Sequence, residues 1–223
     1  LQLTCNYAMC NRYQPASHEK IQDVLGIRVP PIAYRPGLGP WGTGPFVRAG
    51  AAGMECVVGQ WALIPPFAKE RINRKIMTNN ARSETVATKP VFRQAWAKGQ
   101  RCLIPAMSYD EPCWETGANV WWSFRRRDGL PWMLAGLWSD WVDHDTGEVV
   151  PSYTMLTANC DGHPLLSRMH KPDPKLTEDA QDKRTVIPLA KEAWETWLTG
   201  TTEDARQLIQ VPPLELFEAS PAR

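Results

Sequence analysis

The chain has 223 residues, 43% of them hydrophobic, and a formal net charge of +1. This length and composition favour one globular domain with a sizeable core over a disordered chain or two small domains. No apolar run approaches the roughly 18 residues that a membrane-spanning helix needs, and the first residues lack a signal-peptide pattern, so we predict a soluble, cytoplasmic protein with no membrane contact.

The first part of the chain predicts one helix, one long loop and one strand. Ser17 is a suitable N-cap for a short helix that ends at Leu25. The following stretch, 28–44, is too rich in Pro and Gly to be regular, so we predict an irregular loop there. The run CVVGQWALIP at 56–65 is β-rich and predicts a strand.

The middle of the chain predicts a helix followed by several strands. TKPVFRQAWAKG at 88–99 has a proline in its first turn and a glycine at its end, as helices do. RCLIP at 101–105 predicts a strand, and three β-prone runs follow at 119–124, 131–141 and 149–158. Because short turn sequences separate these three runs, we interpret them as an antiparallel meander.

Two helical stretches follow late in the chain, PLAKEAWETWL at 188–198 and TEDARQLIQ at 202–210. Since the predicted strands cluster and the helices are peripheral, this order favours an α+β domain over alternating βαβ units. We therefore predict a single α+β domain built on a curved, mainly antiparallel sheet with peripheral helices.

Charge is unevenly distributed along the chain. Between Lys69 and Arg101, nine basic residues stand against two acidic ones, whereas acidic residues outnumber basic ones after Leu176. These segments form either two solvated faces of opposite sign or, for the basic segment, a surface for an anionic ligand such as nucleic-acid backbone. The charges alone leave both interpretations open.

The six cysteines and four histidines give no metal signature. No CxxC pair occurs, and the histidines lack the close spacing to cysteine of a structural zinc site. Because nothing marks the chain for export, we expect reduced thiols rather than a disulfide framework, and we predict no metal and no other cofactor.

Four short stretches place polar side chains inside otherwise apolar sequence. They are MCNRY at 9–13, NNARSE at 79–84, RCLIPAMSYDEP at 101–112 and YTMLTANCDGHPLLSRMH at 153–170. Taken singly, such residues are usually turn caps or solvated loop residues. Together and in this order, they resemble the four signature regions of the SRAP family (SOS response-associated peptidase domain), over nearly the whole chain.

The resemblance implies a barrel-like SRAP fold and a protein that recognises abasic sites in single-stranded DNA. Family members join the abasic site covalently to an N-terminal cysteine, which is exposed when the initiator methionine is removed. On this sequence the resemblance implies four catalytic residues: Cys10 as nucleophile, Asn80 to position the sugar and the cysteine, Glu111 as acid/base, and His170 to assist proton transfer.

The resemblance also implies a set of DNA-binding residues. Arg12 and Arg82 would hold phosphates, and Thr157 would line the pocket. Where family members often place a tryptophan wedge against the stacked bases, this chain has PPFAK with Phe67, which implies a smaller wedge.

The chemistry of the reaction explains why a terminal cysteine is needed. The ring-open form of an abasic site presents an aldehyde, which an amine converts to a Schiff base and a neighbouring thiol closes to a five-membered thiazolidine. An α-amino group with a pKa of about 7.7–8.0 is partly neutral at cellular pH, so it attacks where a lysine would mostly be charged. A glutamate and a histidine beside the aldehyde can open the sugar ring and shuttle protons.

The sequence departs from the family pattern at two of the motifs. After His170 the family continues Asp-Arg-Met-Pro, whereas this chain has KPDP at 171–174 and extra residues before TVIPL. Around Glu111 the aromatic-rich family pattern is replaced by MSYDEP. Either Asp110 or Glu111 could therefore be the acid, and the alignment of the motifs favours Glu111.

The largest departure is residues 1–8, which precede Met9. With these residues and Met9 attached, the Cys10 nitrogen is an amide and cannot form a Schiff base. Either Met9 is the true start and residues 1–8 are a leader or upstream extension, or the domain cleaves itself before Cys10, or this member performs different chemistry. We favour the first account and expect a single domain over residues 9–223.

Three hypotheses of function follow. The first is a monomeric DNA–protein crosslinking enzyme of the bacterial cytoplasm or nucleoid, whose partner is single-stranded DNA with abasic sites. The second is a cysteine-dependent peptidase or amidase, including one that cleaves its own chain, with Cys10 as nucleophile and His170 as base. The third is a non-catalytic single-strand binder. A covalent, nuclease-resistant adduct separates the first hypothesis from the other two.

Overall fold

The computed structural model describes residues 10–177 and 179–222, so the predicted boundary before residue 9 lies outside the described residues. Ten strands and four α-helices occur in the described chain. In chain order they are β1 (Arg12–Pro15), α1 (His18–Leu25), β2 (Thr43–Gly50), β3 (Gly53–Trp61), β4 (Asn80–Arg82), α2 (Arg93–Ala97), β5 (Arg101–Cys113), β6 (Val120–Arg126), β7 (Trp132–Val142), β8 (Val149–Asn159), β9 (Arg184–Val186), α3 (Trp194–Thr199), α4 (Thr202–Gln207) and β10 (Phe217–Pro221).

Five of the strands close into a barrel. β2 pairs with β3, β3 with β8, β8 with β7, β7 with β5, and β5 pairs back to β2. These pairings are antiparallel except for β3 with β8, and β4 also runs parallel to β8. The prediction of an α+β fold with a curved, mainly antiparallel, barrel-like sheet and peripheral helices is confirmed.

The core lies on both faces of the barrel strands. Phe46 and Ile104 belong to one buried apolar cluster, whereas their chain neighbours Val47 and Leu103 belong to another that also contains Trp197 of α3. Successive side chains of a strand point to opposite faces of the sheet. One cluster therefore fills the barrel, and the other packs beneath the helices.

The structure confirms the predicted first helix and the late helices. The side chain of Ser17 accepts a hydrogen bond from the backbone N–H of Lys20, so it caps α1 as predicted, and α1 ends at Leu25. Late in the chain, a 3₁₀ turn at Lys191–Ala193 leads directly into α3, and α4 follows with a capping box at its first turn. Capping predicted α1, whereas the late helices were predicted without a cap and are shorter than expected, since α3 begins at Trp194 and not at residue 188 and α4 ends at Gln207 and not at residue 210.

The predicted helix at 88–99 is shorter than expected. Only Arg93–Ala97 is α-helical, and the preceding residues form successive turns, with the N–H of Phe92 donating to the carbonyl oxygen of Lys89. Pro90 disfavours helical backbone at the residue before it, Lys89, so the regular helix begins only after this point. The glycine at the predicted end, Gly99, is in the left-handed conformation as expected for a helix terminus.

The predicted meander is wrong at its first step. Among the described strands β6 does not pair with β7; both pair with β5, β7 along 101–106 and β6 along 109–113. β5 is long enough, at 13 residues, to have two neighbours on the same edge one after the other. As a result Glu111 lies inside a strand, in the half of β5 that faces β6.

Short strands bring the distant sequence motifs together. β1 pairs antiparallel with β5 and sets Arg12 opposite Asp110. β4 pairs parallel with β8 and sets Arg82 opposite Thr157. β9 pairs with the end of β8, which brings the segment after His170 back to the same region.

Candidate active site

The candidate nucleophile lies at the start of the described chain, directly before β1. Cys10 is only 1% exposed, and its Sγ lies 3.5 Å from the carbonyl oxygen of Arg12. Its own carbonyl oxygen accepts two hydrogen bonds from side-chain amides, at 2.8 Å from Nδ2 of Asn80 and 3.1 Å from Nδ2 of Asn79. The backbone of Cys10 is therefore held by the NN pair of the second motif.

Both asparagines are fixed by their surroundings. Asn79 also donates to Oδ1 of Asn11, and its carbonyl oxygen accepts a hydrogen bond from the indole N–H of the buried Trp61. Asn80 begins β4, and its Oδ1 is buried without a hydrogen-bond partner in the described structure. A buried acceptor without a donor costs free energy, so it is a natural place for a donor group of a bound molecule.

The candidate acid is buried beside the candidate base. Glu111 is 2% exposed, and its Oε2 lies 3.5 Å from Nε2 of His170. Burial raises the pKa of Glu111 well above its ordinary value, and the negative charge of Asp110 raises it further. Glu111 therefore favours the neutral, proton-donating form, which is the form that a general acid requires.

His170 is held in an unusual backbone conformation. Its φ of 63° lies in the left-handed region, which non-glycine residues rarely adopt. Its backbone N–H donates to the carbonyl oxygen of Pro112 at 2.5 Å, and its Nε2 lies 3.0 Å from the carbonyl oxygen of Arg184. A carbonyl only accepts, so Nε2 donates in that contact.

The electrostatic surroundings favour a protonated thiol at Cys10. Burial raises the pKa of the Cys10 thiol well above its ordinary value; Glu111, wherever it is ionised, and Asp110 act in the same direction, and the hydrogen bond to the carbonyl oxygen of Arg12 opposes them by less than the effect of burial. A thiolate is thus disfavoured, whereas a terminal amine at the same residue would not need one to attack first.

The two arginines expected to hold phosphates each lie beside a carboxylate. Nε of Arg12 lies 3.6 Å from Oδ2 of Asp110, and its guanidinium stacks over Trp121. Nη1 of Arg82 lies 2.6 Å from Oδ2 of Asp182. Both guanidinium groups are about half exposed, so these ion pairs can be exchanged for other anions.

The other two expected DNA-binding residues differ in their position. Thr157 is fully buried in β8, and its carbonyl oxygen accepts hydrogen bonds from the N–H of Ser83 and from Nη2 of Arg184, both at 2.9 Å. Phe67 is 63% exposed and lies on the rim of a cavity of about 380 Å³, whose lining includes none of the four candidate catalytic residues. The structure thus brings Cys10, Asn80, Glu111 and His170 together and leaves Phe67 outside.

A larger groove adjoins the site. It has a volume of about 750 Å³, and its floor is the polar face of β1, β5, β6 and β10, including Arg12, Asp110 and Arg125. Asp110 lines this groove, and successive side chains of a strand point to opposite faces, so Glu111 lies on the other face of β5.

Sequence reasoning missed three residues that hold the site. Asn79 had a signal, because it stands beside Asn80 in the motif. Lys183 and Arg184 had none, since they follow what looks like an insertion after His170. Arg184 forms a bidentate ion pair with Glu84 and also contacts Asp182.

The described part of the chain shows no metal-binding cluster, no paired cysteine and no helix that could span a membrane. No group of three or more His, Cys, Asp or Glu side chains there could hold a metal ion. The described cysteines, at positions 10, 56, 102, 113 and 160, are free and buried. No helix within the described ranges is long and apolar enough to cross a membrane.

Comparison with known proteins gives one consistent family. The family model for SOS response associated peptidase (SRAP) matches residues 9–222. The chain is similar to the abasic site processing protein YoqW of Bacillus subtilis, with 32% identity over 133 residues, which are 58% of this chain and 56% of YoqW. It is also similar to the abasic site processing protein HMCES of Xenopus tropicalis, with 26% identity over 180 residues, which are 70% of this chain and 49% of HMCES.

The matched region spans about half the length of these curated relatives. A solved structure covers the chain more completely. The crystal structure of a protein from Bordetella bronchiseptica has a TM-score of 0.86 and 33% identity, and the match covers 96% of this chain and 100% of that one.

Proposed function

Because the chain belongs to the SRAP family, we propose that it processes abasic sites in single-stranded DNA by capturing them covalently at Cys10. The observation that carries this proposal is the convergence of Asn80, Glu111 and His170 on one buried cysteine. Nδ2 of Asn80 donates to the carbonyl oxygen of Cys10 at 2.8 Å, and Glu111 lies 3.5 Å from His170 and near the Cys10 thiol.

The proposed reaction needs both reactive groups of a cysteine whose amine is free. The amine adds to the aldehyde of the ring-open abasic site, and loss of one water gives the Schiff base. The thiol then adds across the C=N bond, its proton passes to nitrogen, and the thiazolidine ring closes. Each step needs a proton donor or acceptor beside the former aldehyde.

Glu111 and His170 are suited to these proton transfers. With its raised pKa, Glu111 can donate a proton to the sugar oxygen as the ring opens or to the departing water. Nε2 of His170 lies 3.5 Å from Oε2 of that carboxyl group, so its proton can pass to Glu111 once it turns away from the carbonyl oxygen of Arg184. Asn80 offers a second function, because its unpaired Oδ1 can accept a hydrogen bond from a sugar hydroxyl.

The peptidase alternative requires different properties of Cys10. A cysteine peptidase attacks through a thiolate, which neighbouring positive charges normally stabilise. Here burial raises the pKa of the Cys10 thiol well above its ordinary value, which opposes thiolate formation. Attack by an amine is compatible with these surroundings, so covalent capture is the better-supported function.

We assign DNA binding to the rim of the site. Arg12 and Arg82 would hold phosphates, with the phosphate oxygens replacing Asp110 and Asp182 as partners. Thr157 would contribute to the wall of the pocket behind them. The exposed Phe67 would stack on a base, within a loop whose neighbours Lys69 and Arg71 add positive charge.

A gel assay tests the capture reaction. Protein beginning at Cys10 is incubated with a labelled oligonucleotide that carries one abasic site, and a matched oligonucleotide with an intact base serves as control. We expect a product that survives denaturation and nuclease treatment only with the abasic strand. Binding without any covalent product would favour the non-catalytic binder, and release of a cleaved peptide would favour the peptidase.

A salt titration tests the phosphate contacts. Arg12→Ala and Arg82→Ala should each weaken single-strand binding across sequences and reduce the salt dependence of binding by about one unit of slope. The matched control is Lys191→Ala, an exposed lysine beside α3. An unchanged slope in both arginine variants would remove these residues from the DNA interface.

A further inference from the structure

Lys183 is a buried lysine that no catalytic step above uses. It is 7% exposed, and its Nζ donates to the carbonyl oxygens of Met169, at 2.8 Å, and His170, at 2.7 Å. These two carbonyls stand on either side of the His170 backbone N–H and Cα. The ammonium group therefore holds the backbone on both sides of the His170 Cα by hydrogen bonds.

These two hydrogen bonds matter because the backbone conformation of His170 is unfavourable for a residue with a Cβ. At a φ of 63°, a residue with a Cβ is strained, and such conformations persist only where the surroundings hold them. The N–H of His170 is fixed to Pro112, and the flanking carbonyls are fixed by Lys183. Without the ammonium, both carbonyls would be buried without this donor.

The segment that carries Lys183 is itself held rigidly. The carboxylate of Asp161 accepts hydrogen bonds from the backbone N–H groups of Asp182, at 3.1 Å, and Lys183, at 2.7 Å. The next residue, Arg184, offers its carbonyl oxygen to Nε2 of His170 and ties its guanidinium to Glu84. One short segment thus holds both the backbone and the ring of His170.

We propose that Lys183 is a positioning residue for the capture reaction, which holds the His170 imidazole within reach of Glu111. The inference rests on the proposed function for its kinetic consequence. Nζ of Lys183 donates to two backbone carbonyl oxygens, so the role assigned to it is that of a hydrogen-bond donor.

Single-turnover kinetics with a double-mutant cycle tests this role. We measure the maximal rate of adduct formation, and the abasic-DNA concentration that gives half of it, for wild type, Lys183→Met, His170→Ala and the double variant. Lys183→Met should lower the maximal rate by about 10- to 100-fold and leave the half-saturating concentration unchanged, because a small misplacement of a catalytic group has an effect of that size. In the His170→Ala background, Lys183→Met should cause no further loss. Lys191→Met is the matched control, with wild-type kinetics expected.

Each other outcome has a definite meaning. No adduct from the wild type would refute the proposed function itself. A wild-type adduct with equal losses from Lys183→Met in both backgrounds would refute the positioning role alone. Lys183→Arg, which keeps a charged donor, should recover part of the rate, and loss of folding in both Lys183 variants would assign the residue to stability and overturn the inference.

Discussion

At each end of β5, a buried cationic side chain donates hydrogen bonds to backbone carbonyl oxygens, but the two contacts have different consequences. Near its first residue, the buried Arg101 donates to two backbone carbonyl oxygens at the end of α3. Near its last residue, Cys113 pairs with the chain at Met169, and there Lys183 donates to the carbonyl oxygens of Met169 and His170. In both places a buried cation supplies donors to carbonyl groups that secondary structure does not pair.

What surrounds each cation differs. The guanidinium of Arg101 lies over the ring of Trp197, beside an apolar cluster beneath the helices. The ammonium of Lys183 donates to the backbone of His170, which is in the left-handed conformation. His170 in turn lies beside Glu111, a buried carboxyl group with a raised pKa. The same kind of contact therefore stabilises the end of α3 at Arg101 and holds the strained backbone of His170 at Lys183. We therefore expect mutations at the Arg101 end to change stability and mutations at the Glu111 end to change the reaction.

The largest expected effect lies at the reactive end. Glu111→Gln keeps the shape of the side chain and removes its transferable proton, so the rate of adduct formation should fall by about 10² to 10⁴. Binding of abasic single-stranded DNA should stay unchanged in an equilibrium titration. Because Asp110 was the competing acid by sequence, Asp110→Asn is the matched control, and a greater loss there would transfer the role of acid to Asp110.

The next effect lies at the opposite end of β5. Arg101→Met removes a buried donor to α3 and should lower the free energy of unfolding by about 3 kcal/mol, measured by urea denaturation. The adduct rate per folded molecule should equal that of the wild type. A slower reaction in fully folded Arg101→Met would break the separation between the two ends.

A smaller effect is expected at the exposed loop, outside both ends. Phe67→Ala should weaken binding of single-stranded DNA by about 1–3 kcal/mol through loss of base stacking, with no loss of stability, since the ring is mostly exposed. Fluorescence anisotropy measures the affinity. Phe67→Trp should bind at least as tightly as the wild type, and equal affinity of all three proteins would exclude Phe67 from the interface.

The last effect, which is small per pH unit, is a pH dependence of stability at the reactive end. The folded state raises the pKa of Glu111, so above its unfolded pKa the unfolded chain releases a proton that the folded chain keeps. Stability should therefore fall as pH rises through the window between the two pKa values, by up to about 1.4 kcal/mol per pH unit from this one group. Glu111→Gln should flatten that slope, and Arg101→Met should leave it unchanged. An identical slope in wild type and Glu111→Gln would contradict the raised pKa.

The sequence predicted elements whose signals are local. Ser17 is a local capping signal, the β-prone runs of β6, β7 and β8 carry their own composition signal, and the structure confirms the helix and the three strands. β1, β4 and β9 escaped prediction because strands of three or four residues are too short to show alternation. The β6–β7 pairing was wrong because strand partners depend on long-range contacts, here with β5.

The site was predictable only where a motif carried it. The four motifs named Cys10, Asn80, Glu111 and His170, and the fold brings these residues into one region. Lys183 could not be found in this way, since its role depends on the left-handed backbone of His170 and on a loop that departs from the family pattern. Such a contact becomes visible only when the chain is folded.

The most direct test of the account is the intact mass of the captured product. Protein beginning at Cys10 and the form that keeps residues 1–9 are each incubated with the same abasic single-stranded oligonucleotide and analysed by mass spectrometry. Covalent capture predicts that the form beginning at Cys10 gives a species at the sum of the protein and DNA masses minus one water. Cys10→Ala should not give this species without added reductant. The longer form should not give it unless the chain is first cleaved before Cys10. An equal yield from the uncleaved longer form, or no adduct from the form that begins at Cys10, would contradict covalent capture through the nitrogen and sulfur of Cys10.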